Sequence, residues 1–288
     1  MLSKFKDLKT RLSIYSIVIF IVGLLVYTSV FAISKFIIGI VVLLVILGAN
    51  VEYYHFLKAK SVEVSIYPSL LFIIAWPLLL FFQVQGIQLL NFLLLLAFLT
   101  LLIYFLSEFK HIENSMTRIG LHVLGQFYLT VPLSLVLGIL FLDSFGHIND
   151  GRLWFSYLIC VTKASDVGGY FFGNLFGKRP LAPLISPKKT IEGAYGGLIF
   201  SVLASLAFYF LGLVVPKGLF YIGLMEAIGL GVVMGIISQL GDLSESLMKR
   251  DAKIKNSSSI PAVGGVLDVV DSLIFAIPFL FFYLITTR

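Results

Sequence analysis

The sequence predicts an all-α, polytopic membrane protein, and three observations carry that expectation. Hydrophobic residues make up 59% of its 288 positions and charged residues only 12%, against roughly 25% charged in soluble domains. Apolar runs of about 20 residues, the length a helix needs to cross a bilayer, recur from one end of the chain to the other. The lysines and arginines between those runs segregate to one side, which marks a cytoplasmic face.

Nine spans follow in order. Leu12–Ala32 and Phe36–Tyr54 are joined by so few residues that they form a tight helical hairpin. Val64–Phe82, Leu89–Leu106 and Leu121–Phe141 come next and carry few charges. Leu153–Phe172 holds Lys163 and Asp166 in its interior. Thr190–Val214 and Leu219–Leu240 are again apolar, and Ile260–Ile285 contains Asp268 and Asp271. With the N-terminus cytoplasmic, sixteen basic residues from Lys4 to Lys255 lie inside, and only Lys35, Arg152, Lys217 and Arg288 lie outside. The C-terminus then falls outside, and so does the acidic loop Asp143–Asp150. Adding or losing one early helix scrambles this bias, so about nine helices, N-in and C-out, is the expected topology.

The first run is about twice the length of a signal-peptide core and a second follows at once, so no cleavage is expected. Residues 1–151 read as scaffold helices, and residues 152–288 as the catalytic part of one integrated membrane domain. The net charge of +6 records topology and does not call for a nucleic-acid partner. The single cysteine, Cys160, cannot form an intrachain disulfide and reads as a small packing residue.

Three polar constellations stand out against this apolar background, where an ionisable residue at helix-centre depth costs roughly 2.5–3.5 kcal/mol on insertion scales. In the sixth span, Lys163 and Asp166 are three apart and share a helical face. They are either a self-neutralising ion pair or part of a site. Gly168, Gly169 and Gly173 beside them permit close helix packing or leave room for a ligand. The following inside loop ends in Ser186-Pro-Lys188-Lys189-Thr190-Ile-Glu192-Gly193. Ser186 reads as a helix N-cap and Pro187 as the first helical residue, which sets backbone donors and two lysines where a phosphate can bind. Ordinary topogenic lysines behind a helix cap are the plainer alternative.

The richest constellation runs from Gly241 to Ser272. Asp242, Glu245 and Lys249 recur at helical spacing beside Ser246, and Asp268 and Asp271 follow one turn apart. Carboxylates on one face repel unless a cation or a proton lies between them. Oxygen-rich clusters of this kind suit Mg²⁺, which keeps waters and shares substrate phosphates. A charge network joining two helix ends, or a proton or cation translocation site, would also use such residues.

Together these segments resemble the phosphatidate cytidylyltransferase family, the CDP-diacylglycerol synthases. The family's closing signature runs Ser-x-x-Lys-Arg, then Lys-Asp-Ser, then Pro-x-His-Gly-Gly-x-x-Asp-Arg-x-Asp-Ser. It stands here as Ser246-Leu-Met-Lys249-Arg250, Lys255-Asn256-Ser257 and Pro261-Ala-Val263-Gly264-Gly265-Val-Leu-Asp268-Val269-Val-Asp271-Ser272. Gly241-Asp242-Leu-x-Glu245-Ser246, Asp166-x-Gly-x-Tyr170 and the Ser186–Gly193 loop match as well, so the resemblance covers roughly Trp154 to the C-terminus. The chain departs at Val263, Val269 and Asn256, where the family has histidine, arginine and aspartate, and is one residue shorter between Ser257 and Pro261. Every carboxylate read as a metal ligand is retained.

The resemblance implies an enzyme that joins CTP to phosphatidic acid, releasing pyrophosphate and forming CDP-diacylglycerol for phospholipid synthesis. It also implies a bacterial inner-membrane location, a site at the cytoplasmic face and a homodimer. On this reading Asp242, Asp268 and Asp271 hold Mg²⁺, with room for a second cation, and Glu245 orients them. Lys163, Lys188, Lys189, Lys249 and Arg250 bind phosphates, with Asp166 positioning Lys163 or a metal-bound water. Ser186, Thr190, Ser246, Gly264 and Gly265 complete the substrate-binding set. Asp242, Asp268, Lys163 and Lys249 form the catalytic core. Another CTP-dependent lipid enzyme, such as a polyprenol or phytol kinase or a CDP-archaeol-type synthase, is the related alternative. A proton- or cation-coupled transporter is the alternative of another class, disfavoured because polarity is confined to the C-terminal half.

Overall fold

The computed structural model describes residues 23–110, 112–141, 150–216, 218–254 and 265–287. The early part of the first expected span, most of the Asp143–Asp150 loop, and the Lys255–Ser257 and Pro261–Gly264 motifs lie outside the described residues. After a 3₁₀ turn at Thr28–Val30, helix α1 runs Ala32–Ala59, α2 Tyr67–Val84 and α3 Leu90–Glu108. Helix α4 spans Ser115–Leu140 and contains a π-helical turn at Gln126–Thr130. Helix α5 is Gly151–Phe176, and strands β1 (Pro180–Ala182) and β2 (Ser186–Thr190) form an antiparallel hairpin. Helices α6 (Ile191–Val214) and α7 (Leu224–Asp251) precede a short α8 (Val266–Val270) and a final α9 (Ala276–Thr287).

Six of these helices are long and apolar enough to cross a membrane: α1, α2, α3, α4, α6 and α7. The fold is therefore an all-α polytopic membrane architecture with one small hairpin added. Its outer faces remain apolar, with Ile33, Phe98 and Phe210 all more than half exposed, as lipid-facing surfaces must be. Cys160 belongs to that exposed surface, so its expected role as a packing residue is not what the fold assigns. It points outward from α5, where its neighbours Leu158 and Val161 turn inward.

The interior is assembled from α1, α4, α5, α7 and α9, with Ile46, Leu129, Trp154, Met234 and Leu280 fully buried in one cluster. Helix α6 buries only small residues: Gly193, Gly196, Gly197, Ser201 and Ser205. Small residues let backbones approach closely where apolar burial provides no preference over lipid. A Cβ on Gly168 would stand 2.5 Å from the carbonyl oxygen of Gly196, and one on Gly196 would stand 2.8 Å from that of Gly168. The α5–α6 crossing thus requires glycine on both sides.

Two further expectations are corrected. The last span is not one continuous helix, because turns at 271–275 separate α8 from α9. A broken helix is tolerated where its freed backbone groups find partners, and here Lys163 Nζ donates to the Val269 carbonyl at 3.3 Å. Ser186 is not an N-cap, nor Pro187 a first helical residue. Pairing with β1, with Pro180 opposite Thr190 and Ala182 opposite Ser186, keeps this segment extended. The cap is Thr190, whose hydroxyl accepts from Gly193 N at 3.1 Å.

Candidate active site

A cavity of about 330 Å³ opens between α5, α6, α7 and the hairpin, within the size range of small-ligand sites. Asp166, Gly169, Tyr170 and Gly173 line it from α5, Lys188, Lys189 and Thr190 from β2, Gly193 from α6, and Gln239 and Asp242 from α7. Both readings of the α5 glycines therefore hold, at different residues. Gly168 serves close packing, whereas Gly169 and Gly173 line the cavity, where an added Cβ would stand 3.6 Å from the Gly193 carbonyl oxygen and 3.3 Å from Thr190 Oγ1, respectively.

The charges around this cavity are paired across elements. Lys189 Nζ lies 2.6 Å from Asp242 Oδ2 and ties the hairpin to α7. Lys163 Nζ lies 3.2 Å from Asp166 Oδ2 and also donates to Ser272 Oγ at 2.9 Å. The pair is thus more than a self-neutralising contact, since Lys163 joins α5 to the break between α8 and α9. Glu192 accepts from the backbone N–H groups of Lys178 and Arg179 at 3.1 and 3.2 Å, so the hairpin entry is tied to the first turn of α6.

A second cluster centres on Lys249. Glu245 is 1% exposed, and Lys249 Nζ stands 2.6 Å from its Oε1 as a charge contact without hydrogen-bond alignment. Lys249 also contacts Asp268 Oδ1, while Asp268 Oδ2 accepts from Gly265 N at 2.9 Å and caps α8. Asp271 Oδ1 accepts from Ser272 N at 2.5 Å. A Cβ on Gly241 would stand 2.2 Å from the Asp271 carbonyl oxygen. That approach brings Asp242 and Asp271 near enough to repel each other, with Asp166 also within electrostatic reach.

Of the expected site residues, Asp166, Lys188, Lys189, Thr190 and Asp242 meet at the cavity. Glu245, Lys249 and Asp268 form a second charge cluster. Ser246 is half-buried on α7 and Ser186 is half-buried on β2. Arg250 Nε donates to the Ile185 carbonyl at 3.1 Å and holds the hairpin turn. Gly265 occupies the N-cap position of α8, and Gly264 lies outside the described residues. Among the described residues, no group of three His, Cys, Asp or Glu side chains stands ready-made as a metal cage. The donor set is nonetheless oxygen-rich, with mutually repelling carboxylates next to lysines, and that chemistry fits a hard divalent cation accompanied by phosphates.

Several residues at the site were not picked out by pattern. Gln239 Nε2 donates to the Ala194 carbonyl at 3.2 Å and lines the cavity together with Ser165. Tyr128, in the π turn of α4, is 8% exposed. Its ring stands 5.8 Å from that of Phe275, and its hydroxyl has no hydrogen-bond partner among the described residues. Glu52 is the one acid in α1, and its carboxylate accepts from Val266 N and Leu267 N at 2.7 and 2.9 Å. A lone glutamate inside an apolar run was the available signal.

The model of the cytidylyltransferase family matches residues 10–287. The chain belongs to the cytidylyltransferase family. A phosphatidate cytidylyltransferase of Chlamydia pneumoniae is 33% identical over 98% of this chain and 93% of its own length. One from Bacillus subtilis is 32% identical over 82% of this chain and 85% of its own length. A higher identity, 42%, is shared with a phosphatidate cytidylyltransferase of Chlamydia muridarum over 59% of this chain and 55% of the relative. The cavity-lining carboxylates and lysines lie in the part of the chain that holds the signature residues.

Proposed function

We infer that this protein transfers the cytidylyl group of CTP to phosphatidic acid, giving CDP-diacylglycerol and pyrophosphate. The observation that carries the reading is the cavity in which Asp166 and Asp242 face Lys188 and Lys189 between three helices and a hairpin. A phosphate oxygen of phosphatidate attacks the α-phosphorus of CTP, and the bond from that phosphorus to the bridging oxygen breaks as pyrophosphate leaves. The lipid phosphate is already anionic at neutral pH, so no general base is required. What the site must do is hold two polyanions together and offset the charge of the leaving group.

Lys188 and Lys189 bind phosphate oxygens at the cavity mouth. Lys163 is anchored by Asp166 and Ser272, and Lys249 by Glu245 and Asp268; both hold positive charge close behind. The Thr190 hydroxyl, which lines the cavity, offers a further donor. Mg²⁺, held by Asp242, Asp268 and Asp271 and joined by a second cation, would neutralise triphosphate charge and stabilise the departing pyrophosphate. Lys189 and Lys249 neutralise these carboxylates in the meantime, and arriving phosphates offer both lysines alternative partners.

In the membrane, nine helices place the N-terminus and this site on the cytoplasmic side of a bacterial inner membrane and the C-terminus outside, and two copies form a homodimer. The sixteen-to-four charge asymmetry supports that orientation. CTP arrives from the cytosol and phosphatidate enters between helices. The test is incubation of purified protein with CTP, phosphatidic acid and Mg²⁺. CDP-diacylglycerol and pyrophosphate in equal amounts are expected. Release of CDP instead identifies a kinase, and no product from folded protein at any Mg²⁺ concentration overturns the reading.

A further inference from the structure

We propose that Glu52 is a positioning residue that sets the acidic segment Asp268–Asp271 in place for divalent-cation binding, an inference that rests on the cytidylyl-transfer reading. Glu52 lies in α1, far from the signature motifs in sequence, and is 4% exposed. Its two carboxylate oxygens take two successive backbone amides at the start of α8, Val266 N at 2.7 Å and Leu267 N at 2.9 Å. The preceding amide, Gly265 N, is taken by Asp268 itself. Three successive amides at the start of α8 are therefore held by two carboxylates, one from within and one from α1.

This matters because α8 has five residues, far fewer than a helix needs to hold its own shape. Its position must come from what it rests on. Helix α1 provides that seat twice on one face. Glu52 caps the amides, and Gly48, one turn earlier, leaves room for Val266, whose Cγ2 would stand 3.0 Å from a Cβ there. A buried carboxylate at a helix N-terminus also meets the positive end of the helix dipole. The geometry leaves Asp268 Oδ1 turned to Lys249 and places the Asp271 backbone against Gly241. Tilting α8 displaces both carboxylates together while leaving the Lys188–Lys189 cavity wall intact.

The test is Glu52→Gln in the purified full chain. Supporting groups behind metal ligands typically change metal affinity or activity by about 10–100-fold. The dissociation constant for Mn²⁺, measured by electron paramagnetic resonance without CTP or phosphatidate, should rise about tenfold or more. The turnover number per folded molecule should fall by a similar factor while KM for phosphatidate stays within about twofold; the Mn²⁺ dissociation constant separates this from general destabilisation, which lowers the folded fraction and leaves that constant unchanged. Backbone amide exchange at Val266 and Leu267 should accelerate. Gly48→Ala, which crowds Val266 without touching the carboxylate, should show the same pattern more weakly and serves if Glu52→Gln does not fold. Folded variants with Mn²⁺ affinity and turnover within twofold of the unaltered protein overturn the proposal. If the unaltered protein forms no CDP-diacylglycerol, the functional reading fails, while Mn²⁺ affinity and amide exchange still decide the role of Glu52.

Discussion

Gly241→Ala isolates the contact that brings Asp242 and Asp271 together. A methyl group at this position would stand 2.2 Å from the Asp271 carbonyl oxygen and 3.4 Å from Ser272 Cα. The obstacle is backbone, so no side-chain rotation relieves it. Restoring ordinary contact requires α7 and the 271–272 segment to separate by about 1 Å, since C···O contacts settle near 3.3 Å. Overpacking of this kind costs about 1–3 kcal/mol, and a 1 Å misplacement of reacting groups can cost on the order of 100-fold in rate. Gly229→Ala on the same helix is the matched control, because nothing lies within 4 Å of its added methyl. Turnover measured as pyrophosphate release, together with thermal unfolding in detergent, should show a loss of about 100-fold for Gly241→Ala and none for Gly229→Ala. Equal activities and melting temperatures in the two variants would refute the claim that this approach organises the site.

Asp242→Asn should remove the Mg²⁺ dependence and most of the turnover, as should Asp268→Asn; full Mg²⁺-dependent activity in both purified variants would remove them from the metal assignment. Thr190→Val should lower the stability of the α6 start by about 1 kcal/mol, read as a reduced melting temperature, while Ser186→Ala should leave it nearly unchanged because Ser186 caps no helix. Asp150 is partly buried, which opposes ionisation, yet Arg152 prevails through its backbone N–H at 2.9 Å and Nε at 2.8 Å from Oδ1, and holds the carboxyl below its usual range. A lowered folded-state value contributes stability above the unfolded value and loses it as pH falls. Arg152→Ala should therefore reduce the melting temperature at pH 7, with the difference narrowing only below about pH 4; a difference that persists unchanged at lower pH would contradict this pairing.

Local patterns in the chain carry part of this site. Asp242, Glu245 and Lys249 lie at helical spacing, and they do occupy one helix, with Lys249 beside Glu245. Lys163 and Asp166 pair at i,i+3 as their spacing suggests. What local spacing does not convey is the partner brought from elsewhere. Lys249 meets Asp268 across 19 positions, and Glu52 meets Val266 across 214. Ser186 and Thr190 are both acceptable caps by residue type, and only pairing of β2 with β1 selects Thr190.

By itself, the sequence determined that the chain is helical and membrane-embedded, and it singled out the polar C-terminal motifs against an apolar background. These properties follow from transfer free energies and side-chain chemistry that act residue by residue, so they can be read along the chain. The tertiary structure alone decided where the last span breaks, which lysine meets which carboxylate, and that a glutamate from α1 seats α8. Those outcomes depend on backbones approaching to contact at glycines such as Gly168, Gly196 and Gly241, and such approaches exist only once distant helices have packed.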